Sequence, residues 1–160
     1  MTEALSPLIA RLKRSEGWRD KAYLDTAMPP VITIGYGHAL AQVLCGNCGS
    51  GAITVKPING ISETVGEMLL FSDVAAVMGE LEQRLPGFLS LDAIRREVLV
   101  ELGFNLGVGK VLSFPVFMDQ LKRGAYAEAA ENMRGWKWVR QVHESRALPL
   151  IRMLETGERA

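Results

Sequence analysis

Ser15-Glu16-Gly17-Trp18, Tyr23-Leu24-Asp25 and Ile32-Thr33-Ile34-Gly35-Tyr36-Gly37-His38 place two carboxylates nine residues apart, then a threonine inside a glycine-punctuated β segment, then a histidine. Glu16 closes a stretch with Leu8, Ile9 and Leu12 on one side. That stretch reads as a short helix over 7–16, with Ser6 as N-cap, Pro7 at the first helical position and Gly17 as the stop. A carboxyl at a helix C-terminus faces the negative pole of the helix dipole. Shielded by Trp18 as well, Glu16 is expected to hold its proton longer than a solvated glutamate. Asp25 lies between an apolar strand start, Ala22-Tyr23-Leu24, and a polar turn over 26–30, a wetter place. Two carboxyls in unlike surroundings suit acid/base work at a glycosidic bond.

Working outward, residues 22–55 read as short strands and loops, with Val31–Tyr36 the clearest strand and Ile53-Thr54-Val55 a candidate last one. Ser62 is a good N-cap with Glu63 behind it. Leu70, Val74, Val77, Met78, Leu81 and Leu85 recur at helical spacing up to Pro86-Gly87, with a possible bend near Ser72-Asp73. From Ser90 onward the chain reads as helices punctuated by glycine. Ile94, Val98, Leu99, Leu102 and Leu106 form one apolar face that stops at Gly107. A helix opened by Ser113-Phe114-Pro115 closes at Gly124, another covers 125–134, and the last covers 144–155 despite Pro149. The expected class is α+β in a single domain. A small N-lobe (about 15–61) with a short antiparallel sheet is followed by a linking helix (about 62–85). An all-helical C-lobe (about 86–160) takes in the first helix as well. A cleft between two such lobes is the default ligand site.

The chain has 160 residues, 48% apolar and 22% charged, enough for a proper core. Eighteen basic residues balance eighteen acidic ones, which argues against a nucleic-acid partner. No run approaches the ~20 apolar residues of a membrane span, and Met1-Thr2-Glu3-Ala4 lacks the features of a signal peptide. Cys45-Gly46-Asn47-Cys48 sits in a glycine-rich stretch. Two reduced thiols, a short disulfide formed after export, and a metal site recruiting His38 or another group all remain open, although two residues cannot complete a zinc site alone.

The Glu-x8-Asp pair followed by Thr-Ile-Gly-Tyr-Gly-His resembles the catalytic signature of phage-type lysozymes, glycoside hydrolase family 24. The resemblance runs on through Leu91-Asp92-Ala93-Ile94-Arg95-Arg96, Phe104-Asn105-Leu106-Gly107, Tyr126–Ala130, Trp136-Lys137-Trp138 and Ser145-Arg146-Ala147, in order along the chain. It implies a lysozyme-like two-lobed fold and a muramidase that needs no cofactor or metal. Its substrate would be the β-1,4 bond between N-acetylmuramic acid and N-acetylglucosamine in peptidoglycan. Glu16 would be the general acid, while Asp25 (with Asp20 as a rival) and Thr33 would position water for an inverting attack. Gly37, Phe104, Asn105 and Asn132 would line the substrate site, with Asn105 one methylene shorter than the glutamine of the best-known relatives. Arg146 would pair with Glu16. His38 tempts as a base, but the resemblance implies a structural pair with Asp73. Trp136 and Trp138 favour packing over sugar stacking. The resemblance also implies a monomer kept in the host cytoplasm until a holin lets it reach the periplasm and cell wall.

One departure stands out. Seven residues separate Asp25 from Thr33 where the family commonly has five, and the turn holds Met28-Pro29-Pro30. The extra residues either lengthen the hairpin tip or displace Asp25 from Thr33. A lytic transglycosylase, which uses one acid and no second carboxylate, is disfavoured by Asp25 and Thr33. A glycan-binding module without catalysis has only the altered spacing in its favour.

Overall fold

A computed structural model describes residues 2–25, 30–42, 60–142 and 144–160, with the backbone alone for 2–6, 41–42 and 144–145. Most of the turn after Asp25, the Cys45–Gly51 loop and the Ile53-Thr54-Val55 segment lie outside the described residues. The chain divides into two compact units, Met1–Asp73 and Val74–Ala160.

The first unit opens with α1, Thr2–Glu16. The helix starts at Thr2 and not at Pro7, so Ser6 is not its N-cap. Pro7 lies in the second turn, where its missing N–H removes a single backbone bond. The apolar face expected from the sequence outweighs that loss: Leu8, Ile9 and Leu12 are buried. The Gly17 N–H closes on the Lys13 carbonyl at 3.2 Å. Three antiparallel strands follow in the order β1 (Arg19–Leu24), β2 (Val31–Gly35) and β3 (His38–Gln42). Leu24 pairs with Ile32 and Tyr23 with Thr33. Thr33 also pairs with Ala39 while Ile32 pairs with Ala41, so the register shifts at Leu40, as at a β-bulge.

The unit boundary falls within α2, Glu63–Arg84. Ser62 caps it as expected, its hydroxyl accepting the Val65 N–H at 3.3 Å. The helix runs unbroken through Ser72 and Asp73, where the sequence suggested a bend. An aspartate inside a helix disrupts it by competing for backbone groups; here His38 takes the Asp73 carboxylate instead.

In the second unit a 3-10 turn over Phe88–Ser90 leads to α3, Ala93–Leu106. Asp92 caps α3, accepting the Arg95 N–H at 2.9 Å. Then come α4 (Val108–Leu112), α5 (Pro115–Lys122), α6 (Tyr126–Arg134), α7 (Lys137–Gln141) and α8 (Glu144–Thr156). Their core holds Val98, Leu99 and Leu102 with Phe117, Met133, Leu150, Ile151 and Leu154, all buried. Arg95 fastens the end of α8, donating to the Leu154 carbonyl at 2.9 Å and the Glu155 carbonyl at 3.0 Å. The result is the expected α+β class: a small antiparallel sheet and a predominantly helical remainder. Among the described residues no helix is long and apolar enough to cross a membrane.

Candidate active site

In the first unit, Glu16 ends α1 and Gly37 closes the β2–β3 turn. A Cβ on Gly37 would stand 3.4 Å from Glu16 Oε2, so the carboxylate lies directly over this glycine. The turn requires its glycines: Gly35 and Gly37 have φ of 68° and 83°, a region that side chains occupy only with strain. Between them Tyr36 is buried. The motif Gly35-Tyr36-Gly37 therefore sends one large side chain into the protein and offers bare backbone to a carboxylate.

Asp25 closes the β1–β2 hairpin. Its N–H donates to the Val31 carbonyl at 3.0 Å, and its Oδ1 accepts the Val31 N–H at 2.8 Å. Tyr23 opposes Thr33. Residues directly opposite each other share a sheet face, so Tyr23 and Thr33 lie on one face, and Asp25 follows directly after the last residue of β1. Asp25 and Val31 thus close the hairpin with five residues between them, of which 26–29 lie outside the described residues. Thr33 is buried and donates its hydroxyl to the Val31 carbonyl at 3.3 Å. His38 Nδ1 lies 3.0 and 2.9 Å from the two Asp73 carboxylate oxygens, joining β3 to α2.

The sequence reading missed a polar cluster beside this turn. The Tyr36 hydroxyl donates to Glu63 Oε1 at 2.6 Å. Lys13 Nζ is 3.2 Å from the same oxygen, bonds Glu67 as well, and stands 5.2 Å from the centre of the Tyr36 ring. Burial raises the Tyr36 pKa, and its bond to Glu63 adds to the rise. The Tyr36 hydroxyl and then Lys13 hold Glu63 below the usual carboxylate range, while Glu67 and Glu63 raise Lys13. Phenol, carboxylate and ammonium thus keep the protonation states their hydrogen bonds need. Trp18 packs on Tyr36 with ring centroids 5.1 Å apart and lies against Gly66 of α2. The available signal was Glu63 and Glu67, four apart and so on one face of α2.

In the second unit Phe104 and Asn105 end α3. The Asn105 side-chain amide donates to the Glu101 carbonyl at 2.7 Å, and its oxygen accepts from Arg146 of α8. Asn132 of α6 is held separately: its Oδ1 accepts the Trp136 indole N–H at 3.0 Å. Trp136 stacks on Phe114 at 4.1 Å and meets Phe117 edge-on at 4.8 Å, and both it and Trp138 are buried. Packing is thus the role of these tryptophans, and Trp136 also orients Asn132. Among the described residues no group of three His, Cys, Asp or Glu is arranged to hold a metal ion.

A family model described as phage lysozyme matches residues 13–151. The chain is also similar to a probable T4-type lysozyme 1 from Dictyostelium discoideum, at 27% identity over 91% of this chain and 92% of the relative.

Proposed function

The chain belongs to the phage lysozyme family and is a glycoside hydrolase of peptidoglycan; from that premise we propose that Glu16 is its general acid and that Asp25 and Thr33 position the water. The bond cleaved is the β-1,4 link between N-acetylmuramic acid and N-acetylglucosamine. Glu16 protonates the leaving oxygen as that bond breaks, while Asp25 draws a proton from water attacking the opposite face of the sugar, with inversion. A threonine hydroxyl has one donor and two acceptor lone pairs. With the Thr33 donor on the Val31 carbonyl, its lone pairs accept a hydrogen from the water and turn the water's own lone pair outward. Gly37, Phe104, Asn105 and Asn132 contact the glycan. His38 and Asp73 brace the sheet, and Arg146 is a supporting residue that also orients Asn105.

The observation that carries this reading is the Glu16 carboxylate resting on the bare backbone of Gly37. The same reading makes the enzyme a monomeric endolysin, held in the host cytoplasm until a holin opens the way to the wall. Glu16→Gln tests the chemistry. It should fold normally and lose about 10²–10⁴-fold in lysis of permeabilised Gram-negative cells, because an amide cannot deliver the proton. Lysis within a fewfold of the parent would remove Glu16 from the reaction. Proton NMR of the first-formed anomer on a soluble glycan chain tests inversion.

A further inference from the structure

We propose that Tyr36 is a positioning residue for the acid step: its hydroxyl, held by Glu63 and Lys13, fixes the turn on which the Glu16 carboxylate rests. This inference depends on Glu16 being the acid.

A turn with glycine on both sides of one residue is intrinsically loose, since glycine gives up more conformational freedom on folding than any other residue. Nothing in the Gly35 or Gly37 side chains can hold it. Yet this turn lies under the acid, Glu16 Oε2 standing 3.4 Å from where a Cβ on Gly37 would be. Tyr36 is the side chain between them able to anchor the turn, and it is 4% exposed. Its hydroxyl ends on Glu63 at the start of α2, and Glu63 is tied in turn to Lys13, one helical turn before Glu16 on α1. The chain of contacts therefore runs from Lys13 on the acid's own helix, through Glu63 and Tyr36, to the backbone beneath the acid. Trp18, immediately after Gly17, backs the Tyr36 ring. The bonds join a protonated phenol to a carboxylate, and that carboxylate to an ammonium. Such charge-assisted bonds are shorter and stronger than neutral ones.

The test measures kcat and KM of the full chain on a soluble, uncrosslinked glycan strand. Tyr36→Phe keeps the ring on Trp18 and removes only the hydroxyl. It should lower kcat about tenfold, a fraction of what a 1 Å misplacement costs, and leave KM within about twofold. Glu63→Ala should reproduce that loss, and Glu63→Gln, which still accepts the phenol hydrogen, should restore most of kcat. A role in stability alone would move the melting temperature of these variants without this pattern in kcat. Glu63 is largely exposed, so its two variants keep the test valid even if Tyr36→Phe folds poorly. The proposal is overturned if Tyr36→Phe keeps the parent kcat, if the loss falls on KM, or if Glu63→Gln is as impaired as Glu63→Ala. An active Glu16→Gln would instead overturn the assignment of the acid.

Discussion

Replacing Gly66 with alanine probes the packing beneath the Glu16 turn and has a sign that depends on its neighbour. A Cβ built on Gly66 would lie 2.1 Å from Trp18 Cζ3, 2.8 Å from Cη2 and 3.2 Å from Cε3. Carbon atoms prefer about 3.5–4.0 Å, so the indole and the helix would have to separate by roughly 1.5 Å. Forcing a methyl into packed space costs about 1–3 kcal/mol. Alanine in a helix returns about 1 kcal/mol relative to glycine. In the parent background Gly66→Ala is therefore expected to destabilise, by up to about 2 kcal/mol. In a Trp18→Ala background the obstruction is gone, and the same substitution should stabilise by up to about 1 kcal/mol. The cycle reads the coupling directly, about 1–3 kcal/mol for residues in contact. Thermal unfolding followed by circular dichroism suffices, since 1 kcal/mol moves the midpoint of a chain this size by about 2–4 °C. A higher melting temperature for Gly66→Ala alone, or an equal change in both backgrounds, would refute the account of this contact.

Asp25→Asn should preserve the hairpin, because the amide oxygen still accepts the Val31 N–H, while lowering lysis by about 10²-fold or more; unchanged lysis would take Asp25 out of the chemistry. Asp92→Ala should cost about 1 kcal/mol at neutral pH through loss of the α3 cap, read by urea unfolding. Partial burial works against the Asp92 charge, but the Arg95 backbone N–H and guanidinium outweigh it and hold the carboxyl below its ordinary range. A lowered folded value adds stability above the unfolded pKa of about 3.9 and loses it as pH falls through the folded one. The Asp92→Ala penalty should therefore shrink below roughly pH 4, and a penalty that grows there would contradict the cap.

Much of the fold is written locally. Ser62 and Gly107 do at the helix ends what their residue types favour, and the apolar spacing of α2 and α3 carries their length. The parts that were not legible depend on partners distant in sequence or are too short to show a period. The five-residue helices α4 and α7 contain little more than one turn each, below what periodicity can register. β3 has alanine and leucine where strand-forming residues would be expected, and exists because β2 pairs with it. In the candidate site, the sequence picked out Glu16 and the Gly35-Tyr36-Gly37 turn, which the fold brings together. The anchor of that turn was invisible, because Lys13, Tyr36 and Glu63 come from three elements and meet only after folding. Asn105 and Asn132 were expected to line the substrate site, and what the sequence did not show is that each has a protein partner that orients its amide.

Seven residues separate Asp25 from Thr33, two more than the resemblance leads one to expect. Closing a loop costs free energy that grows only with the logarithm of its length, so two added residues change stability very little. What would matter is a slip of register, since moving a strand by one residue sends every side chain to the opposite face. Asp25 guards against that slip with two hydrogen bonds to one residue, backbone to carbonyl and carboxylate to N–H, both on Val31. The pairing of Tyr23 with Thr33 is then set from the strand side of the closure, independently of what lies in the tip. The carboxylate proposed to handle water is thus also a group that ties the end of β1 to β2, the strand that carries Thr33.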